Sequence, residues 1–190
     1  MGIFPERFSE NVIASLRGVL DEKNASPFWE AIGKQFFQMQ FEEADQLCSK
    51  GTNQFITELM PKHAIYTSML PQKAREAIGK PHKESERAMR LLAKEGFDYE
   101  GVIDIFDGGP FLRAKISRLK SVRAIDQGIA QVTSQKLLAA AVPICNSNLK
   151  NFRVVNTSMA RRGDGTIQLS KAHFDALDAS QNPLLRFIQP

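Results

Sequence analysis

The chain has 190 residues, 43% of them hydrophobic and 24% charged, which supplies enough apolar material for a buried core and too much for a disordered segment. Its net charge of +4 comes from 25 basic and 21 acidic side chains that are interspersed, as in Lys83-Glu84-Ser85-Glu86-Arg87. Without a basic stripe no nucleic-acid partner is expected, although a mild positive field favours anionic ligands. Cys48 and Cys145 share no metal-ligand or disulfide spacing, Met1 to Glu6 lacks the pattern of a secretion signal, and no apolar run is long enough to span a bilayer. A protein of the reducing cytoplasm is expected, with no metal and no membrane partner.

In chain order, Asn11 to Val19 is a short apolar run with β-branched residues and reads as a buried strand, closed by the turn Asp21-Glu22-Lys23-Asn24. Ser26 reads as a helix cap with Pro27 at the first helical position, followed by Phe28, Trp29, Ile32 and Phe36 at helical spacing. Glu42 to Cys48 and Thr52 to Met60 read as two further short helices. Pro71 opens a helix from Gln72 to Ile78 that Gly79 closes. The clearest helix runs from Glu84 to Lys94, with Ala88, Leu91, Leu92 and Glu95 in 3.6-residue register and Gly96 just past its end.

From Phe97 the period changes to two, and Tyr99 to Phe106 reads as one or two strands ending at Gly108-Gly109-Pro110. Strands are then expected at Leu112 to Ile116, Ser121 to Ile125, Ile129 to Thr133, Leu137 to Pro143 and Phe152 to Asn156, with a hairpin at Asp164-Gly165. Ser170 is expected to cap a short helix through Leu177, and Leu184 to Ile188 to form a terminal strand. The order of elements implies an α/β (α+β) protein with a mixed sheet and flanking helices.

No Walker loop, GxGxxG turn, GxSxG elbow or HExxH helix is present, which removes the usual warrants for nucleotide hydrolysis, Rossmann redox chemistry, serine hydrolysis and zinc proteolysis. The titratable groups near turns remain. His82, in Gly79-Lys80-Pro81-His82-Lys83, precedes a helix whose dipole disfavours the imidazolium and keeps a neutral base available. A solvated loop histidine fits the same pattern. His63 follows Pro61-Lys62 and could equally cap carbonyls of its turn; His173 reads as a surface residue. Glu58, Asp104 and Asp107 are the carboxylates suited to a guanidinium, while Asp104 could serve a structural hydrogen bond and Asp107 the glycine turn beside it.

Four segments add to this: Ser26-Pro27-Phe28-Trp29-Glu30-Ala31-Ile32-Gly33, Phe55-Ile56-Thr57-Glu58-Leu59-Met60-Pro61-Lys62-His63, Glu95-Gly96-Phe97-Asp98-Tyr99-Glu100-Gly101 and Asp104-Ile105-Phe106-Asp107-Gly108-Gly109-Pro110. With His82 between them they resemble the arginine N-succinyltransferase family, from about Phe4 to the C-terminus, covering the second half of that family's usual chain. The resemblance implies an acetyltransferase-like fold, with an α/β region at 1–116 and a β-rich region at 117–190 packing on it. It implies transfer of succinyl from succinyl-CoA, a co-substrate rather than a resident cofactor, to the α-amino group of arginine or ornithine. It assigns His82 as proton donor; Glu58, His63, Asp104 and Asp107, which lie in the matching segments, are the residues expected to bind the substrate. The loop that cradles the CoA pyrophosphate belongs to the family's upstream half, and nothing here resembles it, so that half is an implied partner. Lys80, Pro81 and Lys83 depart from the family's pattern around the histidine, and Arg113 stands where it usually carries an acid. Those departures leave open a non-catalytic module of the same fold.

Overall fold

In the computed structural model, which describes residues 7–51 and 54–188, the run after Asn11 forms strand β1 (Asn11–Ser15). The strand was expected to be buried. It lies instead at the edge of a sheet, bonded to one neighbour only, and Ile13 is 62% exposed.

The turn that follows is built by Asp21, whose Oδ1 accepts the N–H groups of Lys23 and Ala25, and Ser26 Oγ accepts from the Trp29 N–H as a helix cap. The helix then widens into a π-turn, Trp29–Gly33, before continuing as α1 (Lys34–Phe37), which Gln38 ends in the left-handed conformation. A π-turn inserts one residue and moves the buried face on by one position. Phe37, not the expected Phe36, therefore lies over Trp29, with ring centroids 5.3 Å apart and planes nearly parallel. Phe106 stacks on the same indole at 5.4 Å, and Trp29 Nε1 donates to the Met39 carbonyl. Ala44 on α2 (Phe41–Ser49) and Phe55 on α3 (Gln54–Leu59) complete this aromatic core. The expected start of the third helix, Thr52, lies outside the described residues.

Pro71 precedes α4 (Gln72–Ala77), and Gly79 turns the chain at φ +71°. A 3-10 turn, Lys83–Ser85, leads into α5 (Glu86–Glu95), which ends on Gly96 at φ +112° as its pattern implies. α5 nevertheless has no fully buried residue, and Leu91 is 58% exposed. β2 (Asp98–Ile103) and β3 (Pro110–Lys115) follow, and the three antiparallel strands lie in the order β1-β3-β2. Pro110, Leu112 and Ala114 point inward from β3. Arg113 points outward and pairs with Glu100 of β2 at 2.9 Å, so its charge is balanced within the sheet.

Asn11–Lys115 forms one unit, and Ile116–Pro190 with Met1–Glu10 the other. The second contains α6 (Lys120–Arg123), β4 (Ile125–Val132), β5 (Val142–Cys145), β6 (Val154–Thr157), β7 (Ala160–Arg161), β8 (Thr166–Leu169), α7 (Lys171–Ala176) and β9 (Leu184–Ile188). Its sheet has the order β6-β5-β9-β4-β8-β7, with β4 and β8 parallel and the other pairs antiparallel. Ile144, Ile167, Leu169, Leu177, Leu185 and Phe187 fill its core. Two expected strands are corrected. Ser121 to Ile125 is largely a helical turn, since Val122 and Ile125 sit three apart and are both half-buried, and Leu137 to Ala141 is an exposed loop before β5. Among the described residues no helix is long and apolar enough to cross a membrane.

Candidate functional site

Asp107 organises the first unit's glycine turn. It is only 9% exposed; its Oδ1 accepts the Gly109 N–H and its Oδ2 the Gly18 N–H, both at 2.8 Å. The backbones meet closely here: a Cβ on Gly18 would lie 2.3 Å from the Asp107 carbonyl oxygen, and one on Gly109 would lie 2.2 Å from that of Leu16. Gly18 also bridges to Pro81, and the Arg17 carbonyl accepts the His82 N–H at 2.7 Å. At the other end of this loop the Gly79 N–H donates to the Gly108 carbonyl at 2.8 Å. The Tyr99 hydroxyl lies against Gly79, 2.3 Å from where a Cβ would be. The segment carrying His82 is thus fixed by its backbone at both ends.

The His82 ring is partly exposed and caps the 3-10 turn, its Nδ1 accepting a long bond of 3.3 Å from the Glu84 N–H. A neutral imidazole that accepts at Nδ1 carries its proton on Nε2. The Glu84 carboxylate, 3.9 Å from the same nitrogen and largely exposed, would draw the proton to Nδ1 instead. The nearer backbone donor sets the resting tautomer, and the carboxylate is placed to pair with Nδ1–H once the ring gains a proton.

His82 lines a groove of about 620 Å³. The turn after β1 contributes Asp21 and Glu22, the loop before α5 contributes Lys80 and Lys83, and the helix contributes Glu86 and Arg90, which pair at 3.5 Å. The backbone N–H groups of Ala25 and Lys23 hold the Asp21 carboxyl below the usual carboxylate range. A groove with both signs of charge beside an imidazole suits a zwitterionic substrate and proton transfer.

The other expected site residues lie elsewhere. Glu58 is exposed on α3, with Oε1 bonded to Gln54 at 2.6 Å, and His63 is exposed beyond it. Between them Met60 and Pro61 line a separate apolar pocket of about 330 Å³. Asp104 is half-buried, its Oδ1 accepting the Phe106 N–H at 2.7 Å, and burial pushes its carboxyl above the usual range. None of Glu58, His63, Asp104 and Asp107 lines the groove beside His82.

Burial raises both cysteine thiols, assisted at Cys48 by Asp45 and Asp104 and opposed at Cys145 by Arg186, so neither has the character of an activated nucleophile. Among the described residues no three His, Cys, Asp or Glu side chains are grouped to hold a metal. In the second unit His173 is half-buried, with Nδ1 at 2.8 Å from Thr157 Oγ1 and 2.9 Å from Ser170 Oγ, a helix-cap arrangement rather than the expected surface residue. Ser170 at the head of the α7 pattern was the sequence signal for it.

Comparison with known proteins gives the same assignment throughout. The family model for arginine N-succinyltransferase beta subunit matches residues 1–121. The arginine N-succinyltransferase of Escherichia coli O139:H28 is 41% identical over 194 residues, covering 100% of this chain and 55% of that protein, and that of Escherichia fergusonii is 40% identical over the same shares. Among solved structures, arginine/ornithine succinyltransferase subunit AI from Pseudomonas aeruginosa superposes with a TM-score of 0.78 at 30% identity, covering 99% of this chain and 53% of that one. The chain belongs to the arginine N-succinyltransferase family, has its acetyltransferase-like α/β fold, and spans about half the length of the relatives it matches.

Proposed function

We propose that this chain takes part in transferring a succinyl group from succinyl-CoA to the α-amino group of arginine or ornithine, with His82 moving the proton. The observation that carries the reading is an imidazole fixed by its backbone beside a groove of mixed charge. The amine nitrogen attacks the thioester carbonyl carbon, the C–S bond breaks, and the amine's proton passes through His82 to the departing thiolate, leaving the ring as it began. To accept at Nε2 the ring first changes tautomer through solvent, water taking the Nε2 proton and returning one to Nδ1; Nδ1–H then faces the Glu84 carboxylate, which stabilises the imidazolium. Lys80 or Lys83 suits the amino acid's carboxylate.

Arginine's long side chain carries its guanidinium well away from the α-amine, so its partners need not line the same groove. Glu58, with an oxygen not bonded to Gln54, and Asp104, with one not bonded to Phe106, are the proposed contacts, with His63 beside them. Residues 1–116 are taken as the region bearing these groups and 117–190 as a β-rich region of the same fold. The rest of a relative's length, supplied as a second chain or segment, is the proposed partner that holds the CoA phosphates. The cytoplasm is the proposed location, where Cys48 and Cys145 stay reduced.

The test is release of free CoA thiol from succinyl-CoA and arginine, with and without a separately expressed upstream half of a relative. Turnover by the pair and little by the chain alone is expected. No turnover by the pair favours the non-catalytic module that the altered Lys80-Pro81 flank leaves open.

A further inference from the structure

We propose that Asp107 is a positioning residue for His82, acting through the Arg17–Gly18 peptide. The inference rests on reading His82 as the proton-transfer group, but its geometry stands by itself. The Gly18 N–H that Asp107 Oδ2 accepts and the Arg17 C=O that accepts the His82 N–H belong to one peptide unit. That unit is planar, so a rotation that breaks one bond breaks the other. A carboxylate on the N–H side also polarises the peptide and strengthens its carbonyl as an acceptor.

The second carboxylate oxygen works on the other end of the loop. By accepting the Gly109 N–H, Oδ1 closes the turn whose Gly108 carbonyl receives the Gly79 N–H. One buried side chain therefore sets both ends of the four-residue segment from Gly79 to His82. Its neighbours are glycines because the backbones approach too closely for a Cβ, which leaves this arrangement no slack to absorb a change at Asp107. With both oxygens committed, Asp107 serves the frame of the site rather than the substrate.

Asp107→Asn keeps the shape but turns an amide N–H₂ toward one of the two backbone donors, so one bond is lost. Amide exchange and ring ¹⁵N shifts are read by NMR on the chain itself. In the variant the His82 and Gly79 amides are expected to exchange about tenfold faster or more, and the His82 ring shifts to move, while the Leu112 amide of the same unit changes little. A purely structural role would speed Leu112 and His82 together. In the wild-type chain, which needs no variant to fold, the amides of Gly18, His82 and Gly109 are expected to open at one common rate. In the two-part assembly Asp107→Asn is expected to lower kcat about tenfold or more with KM values near wild type. The proposal is overturned if Gly18 and Gly109 open without His82, or if Asp107→Asn leaves the His82 amide and ring signals unmoved. Failure of His82→Ala to affect turnover would overturn the catalytic reading alone, because the exchange measurements require no turnover.

Discussion

In Ile116–Pro190, side chains from β4, β5, β8 and β9 meet in one apolar core on a six-stranded sheet. Asn11–Lys115 is joined differently: a small aromatic cluster around Trp29 sits in one place, and the His82 loop is fixed elsewhere by a buried carboxylate and close glycine contacts. Burial scales with area and tolerates small adjustments, whereas hydrogen bonds between closely approaching glycine backbones are directional and leave little room for a shift. The candidate chemistry lies in the unit of the second kind. Such a frame suits a group that must meet reacting atoms with little error.

That contrast can be broken most forcefully in the apolar unit. Leu185→Ala, at a fully buried site, should cost about 2–5 kcal/mol, read from denaturant unfolding. A loss well below this would show a core that collapses easily and is less tightly packed than described. The aromatic cluster offers the next test. Gly33→Ala would place a Cβ 2.1 Å from the Trp29 ring, and overpacking of this kind costs about 1–3 kcal/mol. Trp29 is the chain's one tryptophan, so its fluorescence should shift to the red along with the lower unfolding midpoint; an unshifted spectrum would show the indole free to move aside.

The smallest effect sharpens the comparison. Burial raises Asp104, so its ionisation burdens the folded state. The burden is absent below the ordinary carboxylate range, where both states are protonated, and it grows as pH rises from there through the raised folded value. Asp104→Asn should therefore raise the melting temperature at neutral pH by up to about 4 °C, with the gain vanishing in acid. A lower melting temperature at neutral pH would mean that replacing the charge-assisted bond from the Phe106 N–H by a weaker one to an amide oxygen outweighs the relief.

Sequence pattern located β9, the α5 stop at Gly96 and the Pro71 start because each is a local signal: an alternating run, a left-handed glycine, a proline outside a helix. It misplaced Phe36 because a π-turn changes the helical period without any residue type that announces it; Gly33 beneath the indole is its trace, visible only once the packing is seen. The segment Ser121 to Ile125 had β-branched residues at a spacing of three, which fits a helical turn as well as a strand. At the site, His82 was legible from its place before a helix. The Asp107 hook was not, since it joins residues 89 positions apart and depends on two backbones touching. Glu22, Lys80 and Lys83, which share the groove with His82, and Glu84 beside its ring were not singled out, because charged residues near turns look alike until the fold gathers them.

The central claim is that His82 carries the proton in acyl transfer, and kcat of His82→Ala against His63→Ala in the two-part assembly tests it most directly. Removing a general acid or base costs about 10²- to 10⁴-fold in rate, so His82→Ala should lower kcat by that order with the fold intact, and His63→Ala by far less. Near wild-type kcat in His82→Ala, or a greater loss in His63→Ala, would contradict it.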